Sequence, residues 1–144
     1  GYKNMKIIAV GKIKKGFVND GIKYFQKQIS KLEIIEVKKS NIKDEATLIL
    51  NKIKERDYVI ALAIEGPIIS SEDLAVKIDN LKNSGREITF VIGGSTGLDE
   101  SILTRSDELL SFSKLTFPHE LFRLMLVEQI YRAEAINQGK QYHK

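Results

Sequence analysis

The sequence predicts an α/β fold, a mostly parallel sheet sandwiched by helices. Strand-like apolar runs alternate with amphipathic helical patterns along the 144 residues, an order typical of parallel sheets covered on both faces. Two of these runs, Tyr58 to Ile64 and Ile88 to Ile92, are apolar almost throughout, as strands buried on both faces are. Hydrophobic residues make up 42% and charged residues 29% of the chain, which favours a folded domain over a disordered or membrane-embedded chain.

The first half of the chain predicts the order strand, helix, strand, helix. Lys6 to Val10 is a short apolar run typical of a buried strand. Apolar residues at three- and four-residue spacing predict an amphipathic helix over Phe17 to Lys31. The β-branched segment Leu32 to Val37 predicts a second strand, and a second amphipathic pattern predicts a helix over Asp44 to Glu55.

The next segment continues this alternation. After the strand predicted over Tyr58 to Ile64, Ser70 and Asp73 have the spacing of a capping box at the start of a helix. Gly85 stands where the end of that helix favours a left-handed residue, and the strand predicted over Ile88 to Ile92 follows.

The last third predicts a short helix from Asp99 to about Arg105, a strand-like stretch from Leu109 to Phe117 with an irregular middle, and a long helix after Pro118. No repeat, linker or low-complexity segment interrupts the chain, so residues 5–144 are predicted to form a single domain. Residues 1–4 are interpreted as an added extension before the natural start of the protein.

The composition excludes several kinds of chemistry. The chain has no cysteine, which excludes disulfides and thiolate catalysis, and with only His119 and His143 we expect no metal centre. No run approaches the roughly 18 apolar residues of a membrane span and no secretory signal is present, so we expect a cytoplasmic protein without membrane contact. The formal charge of +4 suits a polyanionic partner such as RNA. The lysines that give the chain this charge are equally typical of solvent-exposed helix faces.

A glycine-rich run, Gly93 to Gly97, follows directly on the strand predicted over Ile88 to Ile92. Glycines at the carboxyl end of a parallel strand let the backbone approach a ligand closely, but they also suit a tight turn. Their spacing differs from the dinucleotide-binding pattern, which disfavours NAD. The loop from Gly11 to Gly16 has the glycine spacing of a phosphate loop, but Phe17 and Val18 replace the lysine and hydroxyl residue that such a loop requires.

The C-terminal segment combines apolar and charged residues. Leu121 to Ile136 is apolar on nearly every face, which predicts a buried helix, and a buried charge such as that of Arg123 requires a partner. Glu128 and Arg132 have the four-residue spacing of an ion pair, which is either an ordinary helix salt bridge or part of a subunit interface. Gly139 to Lys144 brings together an aromatic ring, an imidazole and a cation, and forms either a frayed terminus or part of a site.

Five segments of the sequence stand out together: Ile92 to Leu98, Leu115 to His119, Phe122-Arg123, Glu128 to Ala133 and Tyr142 to Lys144. In this combination they resemble the ribosomal RNA large subunit methyltransferase H family, which belongs to the SPOUT superfamily of knotted methyltransferases. The resemblance extends in length and order from Met5 to Lys144 and is nearly continuous in the C-terminal third.

The resemblance implies a C-terminal trefoil knot built from about Ile88 to Ile136, in which the last helix threads through a loop of the sheet. It implies a homodimer that takes a methyl group from S-adenosylmethionine. The substrate it implies is a pseudouridine in helix 69 of 23S rRNA, methylated at N3 in the assembled ribosome.

The resemblance also implies a cofactor site. Its residues are Leu62, Gly93, Phe112, Ser113, Lys114, Leu115, Thr116 and Phe117. Leu62 and Leu115 would sandwich the adenine by apolar contact, while backbone groups of the loops bind its polar edge.

The catalytic residues implied by the same family are His143, Tyr142, Arg132 and Glu128. Because the accepting nitrogen must lose a proton, His143 is predicted either to act as the base or to hydrogen-bond the imide edge. Tyr142 is predicted to stack on a base, and Glu128 to orient Arg132 or to line the dimer seam. Phosphate contacts are expected from Arg123, Arg132 and Lys144.

A chain this short has no separate RNA-binding domain, so we expect the tail of one subunit to lie near the cofactor of its partner. The sequence departs from the family pattern at Gln141, where proline is common, and at Glu120, where glutamine or proline is common. Glu120 adds a negative charge beside His119 and weakens the case for a specific role of that histidine.

Two other functions remain open from the sequence. The first is a non-catalytic RNA-binding or ribosome-associated factor that uses the basic face, which predicts no cofactor affinity. The second is an α/β enzyme that binds another adenine nucleotide in the same loops. Titration with S-adenosylmethionine, ATP and NAD separates these two functions from the methyltransferase.

Overall fold

The computed structural model describes residues 5–143. Residues 1–4, interpreted above as an extension, and Lys144, a predicted RNA contact, lie outside the described residues. The elements in chain order are β1 (Met5–Val10), α1 (Gly16–Gln26), β2 (Leu32–Val37), α2 (Ile42–Leu50), β3 (Tyr58–Leu62), α3 (Ser71–Asn83), β4 (Ile88–Ile92), α4 (Glu100–Arg105), β5 (Glu108–Leu110) and α5 (His119–Asn137).

The strands form one sheet in the order β2-β1-β4-β3-β5, and each neighbouring pair is parallel. The central strand β4 is buried along its whole length, with Phe90 paired to Ile7 on one side and to Ile60 on the other. An all-apolar strand is expected in this position because helices cover both faces of a parallel sheet. The predicted α/β class with a mostly parallel sheet is confirmed.

Helices cover the two faces of the sheet unequally. The apolar side chains of α1, α3 and α5 pack together with those of the strands in one core. A smaller core on the opposite face is formed with residues of α2 and α4. Each fully buried aliphatic side chain contributes about 1.5–3 kcal/mol, so the larger core with α5 at its centre supplies most of the apolar stabilisation.

The predicted start and the predicted end of helix α3 are both confirmed. The hydroxyl of Ser70 accepts a hydrogen bond from the backbone N–H of Asp73 at 3.0 Å, and the Asp73 carboxylate accepts one from the backbone N–H of Ser70 at 3.4 Å. Gly85 follows the helix with φ of +80°, a conformation that side-chain-bearing residues rarely adopt. The long helix α5 begins directly after Pro118, as predicted.

The first two helices are shorter than their apolar patterns predicted. α1 ends at Gln26 rather than at Lys31, but a further turn keeps Ile29 buried, so the apolar spacing persists beyond the helix. α2 covers Ile42–Leu50 rather than Asp44 to Glu55. It begins two residues earlier because the Asn41 side chain accepts a hydrogen bond from the backbone N–H of Asp44, and this cap defines the first turn.

Two predicted strands are also shorter than expected. β3 ends at Leu62 rather than at Ile64. β5 is Glu108–Leu110, so it begins one residue before the predicted stretch from Leu109 to Phe117 and covers only the first two residues of that stretch. In that stretch the Ser111 hydroxyl donates to the Ser113 carbonyl, and the Ser113 hydroxyl accepts from the backbone N–H of Leu115. These local serine bonds satisfy the backbone in place of a sheet ladder.

Within residues 5–143, no helix combines the length and the apolar character that crossing a membrane requires.

The buried carboxylate of Asp57, directly before β3, makes the stability of the fold depend on pH. Burial raises the pKa of Asp57, but hydrogen bonds from Lys6 at 2.8 Å, the Lys54 backbone N–H at 2.9 Å and the Thr89 hydroxyl at 3.2 Å outweigh it, and the pKa lies below its ordinary value. A lowered carboxyl pKa stabilises the fold above the ordinary value of 3.8, and this stabilisation is lost as the pH falls through the folded pKa.

We therefore expect Asp57→Ala to lower the free energy of unfolding at pH 7 by about 3 kcal/mol, since it leaves the Lys6 ammonium nearly buried without its partner. Urea unfolding at several pH values below 5 should show a smaller decrease in stability with acidification for Asp57→Ala than for the natural chain. Asp20→Ala, a change at an exposed position of α1, is the control. Equal pH dependence in all three proteins would contradict this role of Asp57.

Candidate active site

A cavity of about 630 Å³ opens at the carboxyl ends of β3 and β4. Its walls come from the end of β3 and the following loop (Leu62 to Glu65), the glycine loop (Ile92 to Leu98), Leu103, Thr116 and Phe117, and the first turn of α5 (His119 and Phe122). Its volume lies within the range of about 300–1,000 Å³ typical of small-molecule sites. Its position is the one at which parallel α/β sheets bind ligands.

The glycine loop folds back on itself at the mouth of this cavity. The backbone N–H of Gly97 donates to the Gly94 carbonyl at 3.0 Å, and Gly97 has φ of +85°. A Cβ atom at Gly93 would lie 2.6 Å from the Gly97 carbonyl oxygen, which leaves room for hydrogen only. The loop is therefore both a tight turn and a wall of the cavity, so the two interpretations of its sequence are compatible.

The structure brings half of the predicted cofactor residues to the cavity. Leu62, Gly93, Thr116 and Phe117 line it, whereas the stretch from Phe112 to Leu115 does not.

The residues away from the cavity have other surroundings. The Phe112 ring stacks on Phe122 with ring centroids 5.1 Å apart, and Ser113 holds the local turn through its hydroxyl. Lys114 lies in the same turn, and Leu115 is 71% exposed, so the expected sandwich of Leu62 and Leu115 is absent from this arrangement of a single chain.

Several lining residues were missed by sequence reasoning. Ala63, Ile64 and Glu65 follow Leu62 directly, Leu98 ends the glycine loop, and Leu103 lies beyond it. The signal was available in the rule that ligands bind beyond the carboxyl ends of parallel strands, because it applies to the residues after β3 as well as to those after β4.

The four predicted catalytic residues form one polar cluster on α5 and the C-terminal tail. The Glu128 carboxylate accepts hydrogen bonds from Arg132 at 2.6 Å and from the Tyr142 hydroxyl at 2.8 Å. An Arg132 nitrogen lies 3.0 Å from Nδ1 of His143, and Nε2 of His143 lies 2.7 Å from the Glu72 carboxylate on α3. The tail up to His143 is therefore folded onto the helix rather than frayed.

The contacts of His143 define its tautomer. A guanidinium can only donate, so Nδ1 must accept from Arg132, and Nε2 carries the ring proton and donates it to Glu72. This hydrogen bond lowers the pKa of Glu72. Since both ring nitrogens are engaged, His143 can accept a proton from a substrate only after one of these contacts is exchanged.

The same cluster changes the ionisation of its other members. The hydrogen bond to Glu128 raises the pKa of Arg132, which keeps the guanidinium charged. Burial and then the hydrogen bond to Glu128 raise the pKa of Tyr142, so its hydroxyl stays protonated and donates. The guanidinium carbon also lies 4.8 Å from the centre of the Tyr142 ring, a cation–π distance.

None of these four residues lines the cavity. Along α5, Glu128 lies about 9 Å and Arg132 about 15 Å beyond Phe122, taking the helical rise of 1.5 Å per residue. Within one chain the polar cluster and the cavity are therefore separate.

The structure gives Arg123 a role different from the predicted RNA contact. Its side chain is 2% exposed, donates to the carbonyls of Val10 at 3.3 Å and of Gly11 at 2.9 Å, and forms an ion pair with Glu36. Nε2 of His119 lies 2.8 Å from the same Val10 carbonyl. These contacts hold the first turn of α5 against the end of β1, and a phosphate cannot reach the enclosed guanidinium.

Among residues 5–143, no three His, Asp or Glu side chains are arranged to hold a metal ion.

Comparisons with known proteins agree with this architecture. The family described as "Predicted SPOUT methyltransferase" matches residues 3–143. The Ribosomal RNA large subunit methyltransferase H of Clostridioides difficile is 48% identical over 98% of this chain and 99% of its own length. The protein of the same name from Finegoldia magna is 49% identical with the same coverage.

A solved structure of a SpoU methyltransferase from Streptomyces viridochromogenes, in complex with the cofactor AdoMet, has the same fold. It superposes with a TM-score of 0.54 at 10% identity and covers 93% of this chain and 59% of its own. With a parallel sheet, a glycine loop at its carboxyl edge and these matches over almost the whole length, the chain belongs to the SPOUT methyltransferases and, among them, to the ribosomal RNA large subunit methyltransferase H family.

Proposed function

We propose that this protein transfers a methyl group from S-adenosylmethionine to N3 of a pseudouridine in helix 69 of 23S rRNA, with the assembled ribosome as substrate. The observation that carries this proposal is the cavity at the glycine loop in a chain about half identical, over nearly its whole length, to proteins named for large-subunit rRNA methylation. A ribosomal substrate also implies a cytoplasmic location.

The residues around the cavity suit an adenosine-bearing cofactor. Leu62, Ile92 and Phe117 offer apolar surface for a flat ring, and the loop from Gly93 to Gly97 offers backbone donors and acceptors for its polar edge. When bound, S-adenosylmethionine supplies a methyl group on a positively charged sulfur. The proposal includes the C-terminal trefoil knot from about Ile88 to Ile136, whose loops would enclose this cavity.

The polar cluster suits the chemistry at the accepting nitrogen. The imide N3 of a pseudouridine has to lose its proton for transfer, and it has carbonyl oxygens on either side. His143 can take that proton, or hydrogen-bond the imide edge, once it exchanges its contact with Arg132 or Glu72 for the base. Glu128 keeps Arg132 and Tyr142 in position, so these groups act mainly by orienting the nucleotide.

A second subunit would bring the polar cluster to a cavity. Phe17 and Tyr24, which lie on one face of α1, are 65% and 63% exposed, and exposed aromatic rings of this size are typical of protein interfaces. Ring contacts run from Tyr24 to Phe25, from Phe25 to Tyr131 on α5, and from Tyr131 to Tyr142 in the tail. A dimer formed through this face of α1 would therefore place the tail of each chain at the seam, close to its partner.

The methylation itself is tested with ribosomes that lack the modification. We expect incubation with S-adenosylmethionine and the natural chain to add one methyl group to helix 69, located by mass spectrometry of the excised fragment. Calorimetry should show binding of S-adenosylhomocysteine but not of ATP or NAD. Ribosome binding without any cofactor affinity would instead support the non-catalytic factor, and preferential binding of ATP or NAD would support the other enzyme.

The shared site is tested by mixing two inactive variants. We expect Gly93→Val to disrupt the cofactor cavity and His143→Ala to remove the imidazole that the tail contributes. The homodimer of either variant should be at least about 100-fold less active than the natural protein. In a mixed dimer, the His143→Ala chain supplies an intact cavity and the Gly93→Val chain supplies an intact tail, so activity should return to about a quarter of the natural level if subunits exchange freely.

A site built from one chain predicts no recovery on mixing. Gel filtration of Phe17→Glu and Tyr24→Glu, compared with the exposed-residue control Lys52→Glu, checks that the α1 face forms the dimer. Dimers that persist in both α1 variants would contradict this seam.

A further inference from the structure

A second cavity, of about 800 Å³, lies beside the first at the carboxyl ends of β1 and β2. The loops from Val10 to Lys14 and from Glu36 to Lys39 form its sides. Gly94, Ser95 and His119 line both cavities, so the two are adjacent. We refer to this second cavity as the basic groove.

The groove carries positive charge that the described part of the chain does not neutralise. Lys12, Lys14, Lys38 and Lys39 line it, all four are exposed, and none forms an ion pair with another residue within 5–143. The two acidic residues that line the groove are already engaged elsewhere. Glu36 pairs with the buried Arg123, and Glu120 accepts backbone hydrogen bonds.

Two carboxylates hold the lysine-bearing loops by their backbones. Glu120 accepts from the N–H groups of Lys14 at 3.1 Å and Lys15 at 3.0 Å. Glu45, which is 3% exposed, accepts from the N–H of Ser40 at 2.9 Å, directly after the second pair of lysines. Because these acids bind amides rather than ammonium groups, the loops are fixed while the lysine side chains stay free to bind an anion.

The lining of the groove favours phosphates over bases. It includes no Phe, Tyr or Trp on which a base could stack, and the one imidazole, His119, is held against the Val10 carbonyl. Lysine ammonium groups bind phosphates as point charges, and such contacts fix position without reading sequence. The aromatic and imidazole groups that suit a base lie instead in the tail, at Tyr142 and His143.

We propose that the basic groove binds the phosphodiester backbone of the RNA next to the nucleotide that enters the cavity. This inference rests on the proposed function, since it assigns the groove to the same substrate. It divides recognition into two parts: the groove positions the RNA strand through its charge, and the tail engages the target base.

The test compares two lysine pairs. Lys38→Gln/Lys39→Gln removes two charges from the groove, and Lys52→Gln/Lys54→Gln removes two exposed charges beyond α2, away from the groove. Binding to unmodified ribosomes is measured by co-sedimentation at several salt concentrations, without S-adenosylmethionine. The groove variant should bind about tenfold more weakly at low salt, and its slope of log affinity against log salt should be smaller by about 1.5. The control pair should match the natural chain.

The outcomes separate this proposal from the proposed function. If the natural chain methylates ribosomes and the two lysine-pair variants bind ribosomes equally well, the proposed role of the groove is wrong and the proposed methyltransferase activity is supported. If only the groove variant loses salt-dependent binding and the natural chain does not methylate ribosomes, RNA binding by the groove is supported and the proposed methyltransferase activity is contradicted. Deproteinised 23S rRNA is the second ligand, and a loss seen with ribosomes but not with this RNA would assign the groove to a ribosomal protein and overturn the proposal.

Glu120 offers an independent check on how the loop is held. Glu120→Gln keeps an oxygen that can accept from Lys14 and Lys15, whereas Glu120→Ala does not. We expect the alanine variant to bind ribosomes several-fold more weakly and the glutamine variant to bind at least as well as the natural chain. Tighter binding by both variants would show that Glu120 merely repels RNA, which would overturn its role in positioning the loop.

Discussion

Replacing Gly93 with alanine is expected to weaken the binding of S-adenosylhomocysteine by at least about 100-fold, or about 2.7 kcal/mol. The added methyl carbon would lie 2.6 Å from the Gly97 carbonyl oxygen and 2.8 Å from its carbonyl carbon. Both neighbours are backbone atoms, which cannot rotate away as a side chain can, so the loop itself has to move. The loop is a wall of the cavity, and its displacement removes the backbone groups proposed to bind the cofactor.

Gly16→Ala is the matched control for this change. Apart from its chain neighbours and the backbone of α1 itself, no heavy atom of residues 5–143 lies within 4 Å of a Cβ atom at Gly16, and the residue opens α1, where alanine fits a helical backbone. This variant should bind the cofactor like the natural chain and should be equally or slightly more stable. Calorimetry on both variants measures their affinity for S-adenosylhomocysteine, and circular dichroism confirms that both are folded. Cofactor affinity within threefold of the natural value in Gly93→Ala would contradict the assigned cavity.

Replacing Arg123 with methionine is expected to lower the free energy of unfolding by about 3–5 kcal/mol. Methionine keeps most of the volume of the arginine stem, so the loss reports on the guanidinium. Its removal leaves the Val10 and Gly11 carbonyls without these donors and Glu36 without its cation. Lysine at this position has one ammonium group and cannot serve all three acceptors with the geometry of the guanidinium fork.

Urea unfolding at neutral pH measures this effect, and Glu36→Gln is the comparison. The Glu36 side chain is 38% exposed, and glutamine keeps an amide oxygen that can still accept a hydrogen bond from the buried guanidinium, so this change should cost less, about 1–2 kcal/mol. A chain with Arg123→Met that keeps its stability but no longer binds ribosomes would contradict the structural role and restore the phosphate contact predicted from the sequence.

Local sequence patterns were sufficient to predict most of the fold. The apolar run at β4 and the alternation around it predict a parallel sheet, and the capping box at Ser70 sets the start of α3 within one residue. Such features depend on residues a few positions apart, and sequence shows them directly. The end of α1 was harder to predict because Ile29 keeps the apolar spacing after the helical hydrogen bonds have stopped.

The site was less predictable because it depends on contacts between distant parts of the chain. Nothing near Arg123 indicates that its guanidinium meets the carbonyls at the end of β1, more than a hundred positions earlier. The role of Glu120 is hidden in the same way, since its partners are amides of the loop before α1. Resemblance supplied the positions around Leu115, but the local serine turns that leave this side chain exposed follow from the folded backbone.

The two outer strands of the sheet bear on how this protein avoids aggregation. An exposed strand edge offers unpaired backbone groups to any other strand, and natural proteins protect such edges with charge or with short strands. Here β2 carries Glu33 and Glu36 at one edge, and β5 is only three residues long at the other. Growth of the sheet from molecule to molecule is disfavoured at both edges, which leaves the helical faces as the surfaces for ordered self-association.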